Sequence, residues 1–363
     1  MTLANKKQSV YIIAEAGVNH NGDEQRALDM VDAAADSGAN AVKFQTFQAD
    51  YLVSATAPKA KYQTVSTDAT ESQLDMVRQL ELPYDFHHEL KARAKERGID
   101  FVSTAFELPS LRFLQTLDLP WYKIPSGEIT NGPLLMAFAR TQKPLMLSTG
   151  MSTLSDIETA LAILSWGRCR TDQPDSLSAI WEHWSEARAY LGVPQWLTLL
   201  HCTSQYPTPA AEVNLLALRT LYSTFGVPVG YSDHTAGHLA TTSAVALGAR
   251  VIEKHFTLDR SLPGPDHQTS MDVPMLTEMV ERIRELEVML GDGIKAPQPS
   301  ELDTRKVARQ HLIAAQPIGA GELLTVDNVR TARTGLGVSP IHYWDALGTI
   351  SQLELAPGEV IRV

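Results

Sequence analysis

Two histidines, His234 and His255, follow consecutive apolar runs, 227–231 and 249–252. The first run breaks into Ser232-Asp233-His234 and the second into Glu253-Lys254-His255. An Ala-rich helical stretch, 237–248, lies between them, so the segment reads as one βαβ unit with an imidazole at the mouth of each strand. Parallel neighbours lie about 5 Å apart, close enough for both rings to share one metal ion. Two histidine ligands leave coordination positions for water and a substrate oxygen, as a Lewis-acid centre requires. Imidazole suits a first-row ion such as Mn²⁺ better than Mg²⁺. His201 also ends an apolar run, but it has no such counterpart and reads as a structural hydrogen-bonder.

Other runs end in polar residues of a different kind. Lys43 and Lys123 accompany the hydroxyls of Thr104, Ser126, Ser148 and Ser232 and the carboxylates of Glu15 and Glu128. A lysine at a buried strand end is costly unless something balances its charge. Two lysines among hydroxyl donors suit a phosphate or a carboxylate. The alternative is that each lysine pairs with Glu15 or Glu128 as part of the scaffold.

Eight runs must position these groups: 10–14, 40–44, 99–104, 119–124, 143–148, 196–201, 227–231 and 249–254. Each is nearly continuously apolar, as strands buried on both faces are. Helical segments, among them 24–37, 71–80, 84–97 and 274–290, alternate with them. That alternation predicts a (β/α)8 TIM barrel over residues 1–293, with chemistry at the C-terminal strand ends. A proline-containing linker is expected over 294–304. Residues 305–363 read as a small β-rich domain, because 313–329 and 353–363 echo one another around glycine turns. The long connection 46–70 suits a functional loop. The stretch 165–196 holds four of the six tryptophans; its apolar stripe predicts an extra helix on the barrel wall, with a subunit contact as the other reading.

Composition narrows the function. The chain has 363 residues, a net charge of −11 and no basic block, which argues against nucleic-acid binding. No apolar run reaches the roughly 18 residues that span a bilayer. The first residues enter a strand without a signal-peptide pattern. The cysteines, Cys169 and Cys202, suggest no disulfide framework and fit a reducing cytoplasm.

With the pattern assembled, nine ordered segments resemble the bacterial sialic acid synthase family: IAEAGVNHNGD (13–23), VKFQTF (42–47), STAF (103–106), YKIPSGEITNGPLL (122–135), LSTGMS (147–152), HCTSQYPTP (201–209), GYSDHT (230–235), IEKHFTLD (252–259) and PGPDH (263–267). The tail is similar to that family's antifreeze-like (SAF) domain. The resemblance implies a transferase of carbohydrate biosynthesis that condenses phosphoenolpyruvate with N-acetylmannosamine and water, giving N-acetylneuraminate and phosphate. It implies that His234 and His255 hold a divalent metal, Mn²⁺ with Mg²⁺ or Co²⁺ as alternatives. It places Lys43, Thr104, Lys123, Ser126, Ser148, Ser204 and Ser232 on phosphoenolpyruvate, although Ser204 stands where some members carry asparagine. Gln45, Tyr206 and Asp266 fall at sugar positions. Arg333 matches an arginine reaching from the partner's antifreeze-like domain in a domain-swapped homodimer. Glu15, Lys123 and Glu128 are the catalytic candidates, with Glu15 for proton transfer. A Schiff base on Lys123 or Lys254 is the rival mechanism. A synthase for N,N'-diacetyllegionaminate or another nonulosonate, using a di-N-acetylated hexose, is the alternative function. A non-enzymatic sugar- or ice-binding protein, suggested by the tail alone, is the remote one.

Overall fold

The computed structural model of the chain describes residues 9–59, 71–190 and 195–362. Parts of the expected features 46–70 and 165–196, and the first residues, lie outside these. Two compact units divide between Gly291 and Asp292.

The first unit is a closed barrel of eight parallel strands in sequence order. They are β1 (Tyr11–Gly17), β2 (Ala41–Thr46), β3 (Asp100–Ala105), β4 (Tyr122–Ile124), β5 (Leu145–Ser148), β6 (Leu197–His201), β7 (Val229–Asp233) and β8 (Val251–His255). All eight expected strands are present, with shifted ends. β1 continues through Glu15 and ends in a register shift between Glu15 and Gly17. β4 keeps only three residues, with Pro120 just ahead of it.

Side chains alternate along a strand, and this places the polar groups inside. One interior layer is apolar: Ile13, Ala41, Val102, Trp121, Leu200 and Val251 pack together. Two residues further along the same strands stand Glu15, Lys43, Thr104, Lys123, Cys202 and Glu253, so the charged layer lies directly above an apolar floor. Register completes the placement. Glu15 is level with Lys43 on one side and His255 on the other, Thr104 with Gln45 and Lys123, and Ser232 with Glu253.

Helices cover the outside. Glu24–Asp36 starts on Asp23, whose side chain accepts from the Arg26 amide, and buries Ala27, Met30, Val31 and Ala34 as a single stripe. The tryptophan-rich stretch forms helices Leu154–Cys169 and Leu177–Tyr190, and Trp166, Ile180 and Trp184 join the main core. The wall-packing reading therefore holds for its described part. No helix among the described residues is long and apolar enough to cross a membrane.

The second unit carries an antiparallel pair, β9 (Gln310–Ala314) and β10 (Val329–Arg333). Bridges Ile318–Leu355 and Ile313–Val360 join the two segments that echo one another in sequence. Leu312, Ala314, Ile318, Leu324, Val329, Leu355 and Ile361 supply its core. The stretch expected as a linker, 294–304, belongs to this unit. It contains a 3-10 turn at Pro299–Glu301 and the start of helix Leu302–Ala308, because Gln298 and Glu301 cap the turn reciprocally.

Candidate active site

The strand ends enclose a cavity of ≈ 330 Å³. Its lining includes Glu15, Lys43, Gln45, Thr104, Lys123, Ser126, Ser148, Ser204, Tyr206, Ser232, His234, His255 and Asp266. Of the residues expected from sequence, the cavity lining lacks Glu128 and Arg333. Glu128 ends the 3-10 turn Ser126–Glu128 after β4, and that turn directs its carboxylate to Asn131 Nδ2 at 2.7 Å. Arg333 is exposed at the end of β10 in the second unit.

At the floor the charges are already balanced. Lys43 Nζ lies 2.7 Å from Glu15 Oε2 and 3.7 Å from Glu253 Oε2, and it donates to Thr104 Oγ1 at 3.0 Å. Lys123 donates to both Glu253 oxygens, at 2.7 and 3.0 Å, and Ser232 Oγ donates to Glu253 Oε1 at 2.8 Å. The scaffold alternative thus holds for Lys43 with Glu15, whereas Lys123 pairs with Glu253 and not with Glu128. Two ammonium groups and two carboxylates make a neutral buried cluster, in which stripping one partner costs about 3–5 kcal/mol. The two acids respond differently. Burial pushes the Glu15 carboxyl up to about 7 despite Lys43. Burial also disfavours charge on Glu253, but Lys123 and Lys43 together hold it below the usual carboxylate range. Burial opposes the Lys43 charge as well, and Glu15 and Glu253 outweigh it and raise that ammonium.

Hydroxyls line the side beside β4 and β5. Ser126 Oγ accepts from the Gly150 amide at 3.0 Å and sits 3.1 Å from Cys202 Sγ. Ser148 Oγ is buried without a hydrogen-bond partner. A buried donor with nothing to bond is expensive, so this hydroxyl suits a ligand oxygen. Gly150 makes the packing feasible: a Cβ there would stand 2.3 Å from Ser204 Oγ, 2.7 Å from Cys202 Sγ and 2.9 Å from Ser126 Oγ.

The histidine rings lie with centroids 5.6 Å apart. His234 Nδ1 donates to the Thr203 carbonyl at 2.7 Å, which leaves Nε2 as the lone-pair nitrogen, 3.1 Å from the Tyr206 hydroxyl. His255 Nδ1 is buried and without a hydrogen-bond partner, 3.9 Å from Asp266 Oδ2. Burial lowers both imidazole pKa values, and for His255 the His234 ring adds to the effect, so both stay neutral near pH 7. Burial alone raises the Asp266 carboxyl to about 6. Two neutral imidazoles with available lone pairs fit a divalent first-row ion. Among the described residues no group of three or more His, Cys, Asp or Glu side chains is arranged to hold a metal, so the imidazole pair leaves room for other oxygen ligands.

Glu253, Gly150 and Gln73 were missed from sequence. Glu253 was detectable by the period of two, since it sits two residues before His255 and faces the same way. Lys254 faces the other way. It is fully buried, donates to Asp233 Oδ2 at 2.7 Å and to the Thr235 carbonyl, and is absent from the cavity lining. That geometry removes Lys254 as a Schiff-base candidate. His201 bonds to the Val213 carbonyl at 2.8 Å and likewise does not line the cavity.

Comparison with known proteins shows which family the chain resembles. Residues 30–295 match the NeuB family and residues 309–362 match the SAF domain. An N,N'-diacetyllegionaminic acid synthase of Campylobacter jejuni is 44% identical over 351 residues, covering 97% of this chain and 98% of the relative. A synthase of the same description from Legionella pneumophila is 41% identical, covering 97% and 93%. Among solved structures, the N-acetylneuraminic acid synthetase of Leptospira borgpetersenii, in complex with citrate, matches with a TM-score of 0.67 and 33% identity over 84% of this chain and 95% of that one.

Proposed function

The chain belongs to the NeuB family and ends in a SAF domain, and from that premise we propose that it is a nonulosonate synthase of the N,N'-diacetyllegionaminate type. It condenses phosphoenolpyruvate with the open-chain aldehyde of a di-N-acetylated hexose and with water, and it releases phosphate. The observation that carries this reading is the single cavity that joins two lysines, orphaned or shared hydroxyls and two neutral imidazoles. Identities of 44% and 41% to legionaminic acid synthases, against 33% to the Leptospira synthetase, favour the di-N-acetylated sugar over the N-acetylmannosamine first expected. The N-acetylneuraminate reading stands second, on the likeness to the Leptospira enzyme.

Phosphoenolpyruvate sits on Lys43 and Lys123 among Thr104, Ser126, Ser148, Ser204 and Ser232. The lysines are pre-paired, so the incoming anion competes with Glu15 and Glu253. Of these two, Glu15 is the acid that gives way, because its raised pKa lets it take a proton near neutrality and free Lys43. Gln45, Tyr206 and Asp266 hold the sugar. A divalent ion on His234 and His255, Mn²⁺ by preference, would polarise the aldehyde oxygen. C3 of phosphoenolpyruvate forms the new bond to the aldehyde carbon, whose oxygen takes a proton and becomes a hydroxyl. Water adds to the cationic C2 and loses a proton. The tetrahedral intermediate then breaks its C–O bond to phosphate and leaves the keto acid. Glu15, which accepts from Gln45 Nε2 and pairs with Lys43, carries the protons. Protonated as phosphoenolpyruvate binds, it gives that proton to the aldehyde oxygen. As a carboxylate it offsets the positive charge at C2, and it takes a proton back from the water.

The test is phosphate release from phosphoenolpyruvate with a panel of hexosamines. Turnover is expected with the di-N-acetylated hexose and is expected to be weaker with N-acetylmannosamine. Preference for N-acetylmannosamine would return the reading to N-acetylneuraminate, and no release with any sugar would favour a binding protein.

A further inference from the structure

One wall of the cavity has no place in the chemistry above. Helix Gln73–Arg78 begins on Ser72, whose side chain accepts from the Asp75 amide. It continues into a turn that reaches Leu80. Gln73, Met76, Val77 and Leu80 fall at i, i+3, i+4 and i+7, and all four line the cavity. Met76, Val77 and Leu80 pack with Val18 and Phe47 in a separate apolar cluster. The charged groups of the cavity come from the strand ends and the loop holding Asp266, so this wall is apolar apart from one group. That group is the Gln73 carboxamide, whose Oε1 is buried with no hydrogen-bond partner.

We propose that Gln73 and the stripe Met76, Val77 and Leu80 form the subsite that reads the second acetamido group of the sugar; this rests on the condensing function proposed above. An acetamido group offers an N–H donor, a C=O acceptor and a methyl. The carboxamide matches both polar atoms whichever way it is turned, and the apolar stripe takes the methyl. A hydroxyl in the same place engages the carboxamide at one atom, leaves its other polar atom unmatched and offers the apolar stripe no methyl. The wall therefore selects for the N-acetyl group and against a free hydroxyl. It acts on specificity, away from the reacting carbons.

The experiment compares the intact enzyme with Gln73→Met, which keeps the length and the apolar surface but removes the amide. Phosphate release is followed with phosphoenolpyruvate and either a di-N-acetylated hexose or N-acetylmannosamine. The unaltered enzyme is expected to favour the di-N-acetylated sugar in kcat/KM by about 10²-fold. Gln73→Met should lose about 10-fold or more on that sugar, mostly through KM, and less than about 3-fold on N-acetylmannosamine, with the phosphoenolpyruvate KM unchanged. Equal losses on both sugars, or no loss on the di-N-acetylated one, would overturn the subsite while leaving the condensing function in place. No phosphate release by the unaltered enzyme with either sugar would overturn that function and the subsite with it. A melting temperature within a few degrees of the parent separates lost recognition from lost folding.

Discussion

His255 Nδ1 and Ser148 Oγ are buried polar atoms with nothing to bond. A folded chain tolerates such atoms where a ligand will satisfy them. The metal proposal follows from the first of these. Exhaustive chelation should abolish phosphate release and added Mn²⁺ should restore it, and His234→Ala and His255→Ala should each cost about 10²-fold or more in kcat. Full activity after chelation would transfer carbonyl activation to Lys123. A second residue-scale effect lies outside the chemistry. Burial holds His20 near a pKa of about 3 and His267 near about 4, against an ordinary value of 6.5. Both are neutral in the fold, while the unfolded chain takes up protons as soon as pH drops below 6.5. Their contribution to stability is therefore complete above pH 6.5 and is lost as pH falls toward 4 and then 3. Across that window each group lowers unfolding free energy by about 1.4 kcal/mol per pH unit. The raised carboxyls of Glu15 and Asp266 act in the opposite sense over the same range, so the test is a difference: denaturant titrations between pH 7 and pH 4.5 should show His20→Leu losing less stability than the parent by about one such share. An unchanged slope in that variant would place the acid sensitivity elsewhere.

At the scale of elements, the alternation of β8 decides three fates at once. Glu253 and His255 face the cavity, and Lys254 between them is sealed against Asp233. The connection after β5 contributes differently, through a missing side chain. Gly150 lets Ser126, Cys202 and Ser204 converge, and its amide orients the Ser126 hydroxyl. Gly150→Ala should push these groups apart, since displacements of about 1 Å at a binding site cost on the order of 10²-fold. Kinetics at varied phosphoenolpyruvate should show at least a tenfold rise in its KM, with a smaller change in the sugar KM. An unaltered phosphoenolpyruvate KM would remove Ser126 and Ser204 from the anion's contacts.

For the whole molecule, the two units raise the question of how Arg333 takes part. It stands exposed on β10 of the small unit, and we propose that it completes the site of a second copy in a homodimer. Arg333→Ala and Glu15→Ala, each inactive alone, should regain part of the activity when mixed and allowed to exchange subunits. A hybrid dimer carries one site with both residues intact. Absence of any recovery, with exchange verified by labelled subunits, would exclude that arrangement.

The eight strands and most of the polar side chains that line the cavity were legible in the chain itself. Lys43, Thr104, Ser232 and His255 stand out because a polar residue closing an apolar run is rare and costly, and because side chains alternate along a strand. The SAF tail was legible for a related reason, since its two echoing segments pair through Ile318 and Leu355. Tertiary structure decided what lies between distant segments. It paired Lys123 with Glu253, 130 positions away, where sequence suggested Glu128 nearby. It turned Glu128 aside through a 3-10 turn, brought Gly150 against Ser204, and aimed Gln73 into the cavity from a helix that reads as ordinary surface. Alternation and burial are local properties of a sequence. Which buried charge meets which partner depends on barrel closure, and only the folded chain contains that information.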